Sequence, residues 1–305
     1  MEIKWLEDFL CLVDSRNFSR SAEQRSTTQP AFSRRIKALE DWVGATLFDR
    51  SKQPISLTES GERFRPIAEE ILRRLFQGRE EIRQIGRNTD STISFSATHS
   101  LSLNFFPEWI RGMEERSSVF LTRLDTHQVG NCVQDLVRGD CQFMLCHTHP
   151  HVKIDLPDDF FTFKKLAEDK LLPVSKPDEA GNPMQFLPGS IDKPLLYLGY
   201  TDNAMTGRAV EYAISRKKEK AHLNCVFESH LAAVLKTMIK EGRGMAWLPE
   251  SQLQNDLESK KLVLAGDESW AIPLDIRIFR SRDTLPDASE KFWDLIIANA
   301  EQASY

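Results

Sequence analysis

The stretch from Asn17 to Thr58 constrains the fold more than any other part of the chain. Ser19 is placed to cap one short helix and Thr28 a second, and Pro30 falls near the first turn of the second helix, where its missing N–H costs nothing. The apolar residues of the second helix recur at i, i+4 and i+7, as Phe32, Ile36 and Leu39. This spacing predicts two helices joined by a turn, the second with one buried face.

The other faces of the second helix are polar and basic. From Arg16 to Lys37 there are six Lys or Arg residues against one acid, Glu23. An exposed helix of this kind suits the DNA major groove, where Arg pairs with guanine and Gln with adenine. The alternative is an ordinary helical hairpin with a solvated charged face; the local charge and the polar face together favour DNA reading. The residues predicted to face DNA are Thr28, Gln29, Pro30, Ala31, Ser33, Arg34, Arg35 and Lys37.

The segment after this helix predicts a short hairpin, or wing. Gly44 is expected to end the helix, and the residues expected to continue the core are Trp42, Val43, Leu47 and Phe48. The wing runs from Arg50 to Leu57 and carries Arg50 and Lys52, where a phosphate backbone or minor groove would lie. Both side chains are therefore predicted DNA contacts.

A long helix is predicted from Thr58 or Glu59 to about Arg87, with Pro66 tolerable only near its first turns. Its apolar residues alternate spacings of four and three: Phe64, Ala68, Ile71, Leu75, Gly78, Ile82 and Ile85. Because a lone helix cannot bury so narrow a stripe by itself, a second copy of the chain is the natural partner. This predicts a homodimer whose two reading helices contact two half-sites of a pseudo-palindrome. The alternative is a helix docked on its own domain.

Strand and helix patterns alternate beyond a polar hinge, GRNTDS, at residues 86–91. The alternation predicts an α/β domain with a parallel sheet and helices on both faces. Ligands of such folds bind at the carboxyl ends of strands, where helix N-termini offer free N–H groups. The residues that meet this test are Thr98, His99, Ser100, Thr126, His127, Cys146, His147, Tyr200, Thr201, Met205, Ser229 and His230. Hydroxyls and imidazoles suit a small anion such as a carboxylate, and helix capping is the alternative role for each hydroxyl.

The residues quoted so far also carry a family resemblance. SAEQRSTTQPAFSRRIKALEDWVGATLFDR followed by LTESG resembles the winged helix-turn-helix of LysR-type transcriptional regulators, although that family usually has a small hydrophobic residue where Arg25 and Thr27 stand. The runs TQPAFSRR, THSLSL and MAWLPE are similar to the hypochlorite-responsive, HypT-like branch.

The resemblance implies three segments: a DNA-binding domain at 1–58, a linker and dimerisation helix at 59–89, and an effector-binding domain at 90–305. The effector-binding domain would be a two-subdomain, periplasmic-binding-protein-like α/β fold. Its subdomain I is expected at about 90–162 and 270–305, and its subdomain II at about 163–269.

The prediction is a DNA-binding transcriptional regulator whose C-terminal domain senses a small molecule and alters promoter binding. One alternative is an oxidant sensor acting through Met or Cys oxidation, with Met205 in a stretch similar to the HypT-like branch. A remote alternative is an enzyme with an acid–base pair among residues such as Glu108, Asp125 and Asp202, although no nucleophile elbow, Gly-rich phosphate loop or metal spacing appears. The expected partners are double-stranded promoter DNA, further copies of the chain as a homodimer or homotetramer, an effector or oxidant, and RNA polymerase.

Composition and charge limit the remaining classes. The formal net charge is −5, and residues 1–90 hold 16 Lys or Arg against 15 Asp or Glu, so the acidity belongs to the later part of the chain. Five scattered cysteines do not form a disulfide framework, and the run CHTHPH lacks a second ligand pair, so neither disulfides nor a metal or other cofactor are expected. With no signal peptide and no apolar run near the roughly 18 residues of a membrane span, we expect a cytoplasmic protein without membrane contact.

Overall fold

The computed structural model describes residues 1–84, 92–115, 120–202 and 204–302. The chain forms two compact units, one comprising Met1–Arg87 with Val137–Gly139 and the other the remaining residues. The predicted hinge at 86–91 and Ile85 of the apolar stripe lie outside the described residues. The residue bounds given above for domains and subdomains stay predictions.

The first unit is helical, with one small hairpin. Its elements are α1 (Ile3–Ser15), α2 (Phe18–Gln24), α3 (Gln29–Val43), β1 (Phe48–Asp49), β2 (Ser56–Leu57) and α4 (Glu59–Gln84). The predicted cap of α2 is wrong, because Asn17 accepts the amide hydrogens of Ser19 and Arg20 at 3.0 and 3.1 Å. Thr28 does cap α3, accepting from the Ala31 amide at 3.4 Å. Gly44 ends α3 in the left-handed conformation with φ 79°, which a residue without Cβ adopts at no steric cost.

One hydrophobic core holds the first unit together. Phe9 of α1 lies 5.3 Å from both Phe48 and Phe64 between ring centroids, so a single side chain joins α1, the wing and α4. The predicted face of α3 is confirmed, since Phe32, Ile36 and Leu39 are fully buried. Trp42 is 57% exposed, and the expectation that it joins the core is wrong. It lies off the helical stripe that those three residues define.

The predicted single stripe of α4 divides into two faces. One face is buried in the unit's own core and consists of Phe64, Ala68, Leu72 and Phe76. The other face is exposed and includes Ile67 at 53%, Ile71 at 38%, Leu75 at 42% and Ile82 at 71%. The helix is therefore docked on its own domain and still presents an uncovered apolar face. Pro66 is the eighth residue of α4, later than expected, and the helix continues past it with one backbone hydrogen bond fewer.

The second unit is built on a nine-stranded sheet in the order β4-β3-β5-β11-β6-β9-β7-β8, with β10 paired to β6. The strands are β3 (Thr92–Thr98), β4 (Leu121–His127), β5 (Phe143–Thr148), β6 (Phe161–Ser175), β7 (Leu195–Gly199), β8 (Leu223–Glu228), β9 (Met245–Pro249), β10 (Val263–Leu264) and β11 (Ile272–Ser281). Strands β3, β4 and β5 are parallel, as are β7, β8 and β9. Strands β6 and β11 join these groups by antiparallel pairing. The expected parallel sheet is therefore right for each group and wrong for the joining strands.

The helices of the second unit pack on the strands around two hydrophobic cores. They are α5 (His99–Asn104), α6 (Phe106–Glu114), α7 (Val129–Arg138), α8 (Met205–Arg216), α9 (Ala232–Lys240), α10 (Gln254–Glu258) and α11 (Asp287–Gln302). One core surrounds Phe95, Phe143 and Phe292, and a second surrounds Leu198, Leu235 and Leu248. Two cores joined by two long strands place the carboxyl ends of two parallel groups near one crossing region, where the candidate cleft lies.

Candidate DNA interface and effector cleft

The exposed surface of α3 carries most of the residues predicted to face DNA. Thr28, Gln29, Pro30, Arg34 and Lys37 are exposed, and Ala31 and Ser33 are half-buried. Their shared helix has its apolar face buried in the unit's core, so the exposed residues cannot turn inward without dissolving that core. Within the described chain no hydrogen bond, ion pair or ring contact occupies the Arg34 side chain. The Arg34 guanidinium is therefore available to donate to a base edge.

Arg35 differs from Arg34, although the two are neighbours in sequence. Its Nε lies 2.6 Å from Oδ2 of Asp8, a fully buried carboxylate on α1. The prediction that Arg35 contacts DNA stays a prediction, and its side chain already has a partner inside the domain. Asp8 could not be predicted from the sequence. A carboxylate is rarely buried unless it is paired, and its partners are distant in the chain.

The wing is anchored to α3 by Glu40. Its buried carboxylate accepts from the amides of Leu47 and Phe48 at 2.9 and 3.2 Å and from the Arg50 guanidinium at 2.9 Å. The same guanidinium lies 5.1 Å from the ring centroid of Phe18, a cation–π geometry. Arg50 is thus held at the base of the wing. Lys52 is exposed, with Nζ 3.5 Å from Asp49.

The effector residues predicted from opposite groups of strands meet in the second unit. His99 follows β3 and His230 follows β8, and their ring centroids are 6.1 Å apart. Burial lowers the pKa of His99, and His230 and His127 lower it further. His99 is therefore neutral near pH 7 and can donate or accept a hydrogen bond without carrying charge. His99 and His230 thus approach each other in the region where the effector cleft is predicted.

Hydroxyls and backbone amides also lie at or after the carboxyl ends of β3 and β7. The Thr98 hydroxyl is buried without a hydrogen-bond partner among the described residues, so the capping role considered for it is not observed. The phenol of Tyr200 is buried beside Thr206, and burial raises its pKa. Helix α8 begins after Ala204, which provides no side-chain cap. Among the described residues no side chain accepts from its first amides, which can therefore bind an anion.

The other predicted effector residues occupy varied positions. Ser100, Thr126 and Thr201 are partly exposed. The Oγ of Ser229 accepts from the Leu231 amide at 3.1 Å in the turn before α9, whose own N-cap residue is Leu231. Met205 is the first residue of α8 and is only 5% exposed.

Two predicted residues on β5 point away from a free ligand site. Cys146 is fully buried, and burial raises its pKa. His147 Nε2 lies 2.9 Å from Oδ2 of Asp169, with both side chains buried. The imidazole of His147 is thus engaged in an internal pair, and its role as an effector contact stays a prediction.

Asp169 is a residue that the sequence analysis missed. It lies in the middle of β6 and also accepts from the hydroxyl of Ser251 at 2.7 Å and from the amide of Lys170 at 2.8 Å. Although burial raises its pKa, the hydrogen bond and charge of His147 and the bonds from Ser251 and Lys170 outweigh it, and the pKa is lowered. One carboxylate thus links β5, β6 and the segment after β9.

A separate open cavity of about 460 Å³ lies outside the predicted effector set. Its lining residues are His151, Val152, Lys153, Arg208, Glu211, Tyr212 and Ser215. The rings of His151 and Tyr212 stack at 4.6 Å between centroids. In the part of the chain that the structure describes, no three His, Cys, Asp or Glu side chains are grouped as metal ligands. Among the same residues, no helix is long and apolar enough to cross a bilayer.

A helical unit with an exposed basic helix and a two-stranded wing, followed by an α/β domain with two groups of parallel strands, is the architecture of a DNA-binding regulator with a ligand-binding domain. Residues 3–62 match the family model for the bacterial regulatory helix-turn-helix protein, lysR family. Residues 86–301 match the family model for the LysR substrate binding domain. The chain belongs to the LysR-type transcriptional regulators. It is a DNA-binding transcriptional regulator with a substrate-binding domain.

Known relatives support the same assignment over nearly the whole chain. The chain is 34% identical to the HTH-type transcriptional regulator YjiE of Escherichia coli over 295 residues, 96% of this chain and 93% of YjiE. The structure of Vibrio fischeri DarR in complex with DNA is similar with a TM-score of 0.57 and 32% identity, covering 97% of this chain and 98% of DarR. Full-length HypT of Salmonella typhimurium, a hypochlorite-specific LysR-type regulator, has a TM-score of 0.59 and 30% identity, covering 100% and 99%. These similar values do not single out the HypT-like branch.

Proposed function

We propose that the C-terminal domain binds a small organic anion of the carboxylate class between the two groups of strands, and that occupancy alters promoter binding. The observation that carries the proposal is the approach of His99 to His230, 6.1 Å between ring centroids, from opposite groups. A ligand contacting both imidazoles would favour one arrangement of the groups over others. Such differential contact is what shifts a conformational equilibrium.

The chemistry of the cleft selects the ligand class. The buried Thr98 hydroxyl has no partner among the described residues, and a buried hydroxyl left unpaired costs about 1 to 3 kcal/mol. Helix α8 has no side-chain cap and offers its first amides, which together with the helix dipole favour negative charge. A carboxylate can accept from the hydroxyl, from a neutral imidazole and from the amides at once. This is why we propose an anion although none of the twelve predicted effector residues is Lys or Arg.

The burial of most sulfur atoms argues against the oxidant-sensing alternative. Met205 is nearly enclosed, so an oxidant would reach it only after local opening. Burial raises the pKa of the Cys11 and Cys132 thiols to about 11, and a thiolate is the form that oxidants attack. Cys225 is exposed, but it lies within β8 and not at the carboxyl end of a strand, where the effector residues are predicted. Ligand binding therefore remains the preferred function.

The same proposal extends to assembly and partners. The exposed apolar face of α4 fits a second copy of the chain, giving a homodimer that presents two α3 helices to two half-sites. A homotetramer would follow from pairing of dimers, and contact with RNA polymerase would follow promoter binding. The carboxylates considered for an enzyme, Glu108, Asp125 and Asp202, are all exposed, which favours a regulator without catalytic activity.

The experiment is a thermal-shift and calorimetric screen of the full chain against small mono- and dicarboxylates, with chloride and inorganic phosphate as comparators. We expect saturable binding of one carboxylate, weakened at least tenfold by His99→Gln and by His230→Gln. The matched control is His222→Gln, which changes an imidazole outside the predicted cleft. Binding that is unaffected by both cleft variants would move the site elsewhere, and binding of phosphate alone would change the ligand class.

A further inference from the structure

Asp8 is a carboxylate buried in the interior of the first, helical unit, the reading head. It lies on α1, its side chain is 0% exposed, and Nε of Arg25 is 2.9 Å from its Oδ1. Nε of Arg35 is 2.6 Å from its Oδ2. Arg25 follows α2 as its C-terminal cap residue, and Arg35 lies within α3. A single carboxylate therefore joins the first helix, the supporting helix and the reading helix.

Arg25 links α1 to the end of α2. Its side chain is 22% exposed. Here the Arg25 guanidinium pairs with Asp8 and with Glu7, and these hydrogen bonds raise the pKa of Arg25 despite its burial. The helices of this unit are thus joined by charges as well as by their shared apolar core.

The charges in this cluster depend on one another. Burial raises the pKa of Asp8, and the hydrogen bond from Arg25 and the charges of Arg35 and Arg25 oppose that rise. A buried carboxylate is strongly disfavoured without a cation, and removing one partner of such a pair leaves the other uncompensated. Arg35 is in turn kept from extending freely toward a phosphate, since its Nε side faces Asp8. Arg34, the next residue, is exposed.

We infer that Asp8 is a positioning residue for DNA recognition: its carboxylate sets the orientation of α3 against α2 and holds Arg35 inside the reading head. The inference deepens the DNA-binding function established above. It assigns base reading to Arg34 and its exposed neighbours, and a supporting role to Arg35. The consequence is that loss of Asp8 should reduce discrimination between sequences more than it reduces attraction to DNA in general.

The test uses the full chain and two duplexes of equal length, one enriched from a random pool by the wild-type protein and one of random sequence. The variants are Asp8→Asn, Arg35→Gln, Arg34→Ala and the control Glu23→Gln, which removes an exposed acid from α2. Dissociation constants are measured for both duplexes over a range of salt concentrations. Circular dichroism verifies that each variant retains its helices.

We expect Asp8→Asn to lower the ratio of specific to random affinity at least tenfold. Because a released Arg35 can reach a phosphate, the slope of log affinity against log salt should steepen by about one. Arg35→Gln should lower the same ratio and leave the slope unchanged, whereas Arg34→Ala should lower specific binding alone. Glu23→Gln should leave the specific-to-random ratio near that of the wild type.

The inference is overturned if Asp8→Asn behaves like Glu23→Gln. It is also overturned if Arg35→Gln weakens both duplexes equally and reduces the salt slope by about one, because Arg35 would then be a phosphate contact. If Asp8→Asn fails to fold, Arg35→Gln decides, since it keeps the pair between Asp8 and Arg25. Failure of the wild-type protein to enrich any duplex would count against DNA recognition itself and not against Asp8.

Discussion

At the scale of single residues, buried charges occupy positions that polarity alone would place on the surface. Glu40 and Asp169 each accept hydrogen bonds from two or more groups on other elements, and Asp8 forms ion pairs with two arginines. A paired, hydrogen-bonded carboxylate can be accommodated in the interior, and removing a partner there is strongly destabilising. These residues orient neighbours that do reach solvent, such as Arg50 in the wing.

The pair between Asp169 and His147 makes stability depend on pH. The pKa of Asp169 is lowered in the folded protein, so its ionised form contributes stability above the unfolded pKa of about 4, and the contribution is lost as pH falls through the lower folded value. Asp169→Asn should cost about 1 to 3 kcal/mol at pH 7, because His147 and Ser251 lose a charged acceptor. The difference from the wild type should shrink below about pH 4.

Thermal unfolding followed by circular dichroism at pH 7 and at about pH 2.5, below the unfolded pKa of a carboxyl, measures this effect. Asp192→Asn is the control, since Asp192 is exposed and has no partner among the described residues. A difference between Asp169→Asn and the wild type that is equally large at both pH values would mean that the carboxylate charge is not what stabilises the joining strand.

How far single residues could be predicted depends on the range of the interaction. Thr28 and Gly44 follow from local backbone rules, and both were identified from the sequence. Asn17 and Ser19 are both good capping residues two positions apart, so local rules alone could not choose between them. Asp169 could not be found in this way, since its partners lie on β5 and after β9 and only the folded sheet brings them together.

At the scale of elements, the apolar period predicted the helices and most strands but not which face of α4 its own domain would cover. Two adjacent stripes of similar hydrophobicity run along that helix, and both satisfy a helical period. Leu72 and Phe76 pack inward, whereas Ile71 and Leu75 stay exposed. The direction of β6 and β11 was likewise missed, because residue patterns show that a strand is buried but not the direction of its neighbours.

Leu75→Glu should dissociate the proposed dimer. Burying a Leu side chain contributes about 1.5 to 3 kcal/mol, and a two-fold axis repeats the change, so the dimer dissociation constant should rise roughly a hundredfold. Sedimentation velocity across a range of protein concentrations measures the shift. The control Arg63→Glu places the same acid on another exposed position of α4.

An unchanged mass for Leu75→Glu would show that the exposed face of α4 is not the dimer interface. A loss of mass in both variants would point instead to general damage to the helix. Only dissociation confined to Leu75→Glu supports a second copy as the partner of Ile71 and Leu75.

At the scale of the whole molecule, the strongest sequence inference was the combination of a reading head with a separate ligand-binding domain. Local charge and helical period carried the first part, and the rule that ligands bind at the carboxyl ends of strands carried the second. That rule placed His99 and His230 in one site although 131 positions separate them in the chain (230 − 99). It could not say that His147, at a similar strand end, would be used by Asp169.

Coupling between the cleft and DNA makes a prediction that requires no knowledge of the conformational path. If a bound carboxylate changes affinity for the specific duplex by some factor, the duplex must change affinity for the carboxylate by the same factor. We expect that factor to be about 5 to 150, corresponding to roughly 1 to 3 kcal/mol. Calorimetry of the carboxylate with and without saturating duplex, and of the duplex with and without carboxylate, measures both sides.

His99→Gln should abolish both halves of this coupling and leave binding of the specific duplex without carboxylate close to the wild-type value, because His99 belongs to the effector unit and α3 to the reading unit. Equal carboxylate affinity with and without the duplex would show that the ligand site is silent toward DNA. If a carboxylate binds in the cleft without changing DNA affinity, the fold and the DNA-reading head stand as described. Regulation by this ligand would then be ruled out. If both affinity ratios fall to one in His99→Gln, the cleft is the origin of the response.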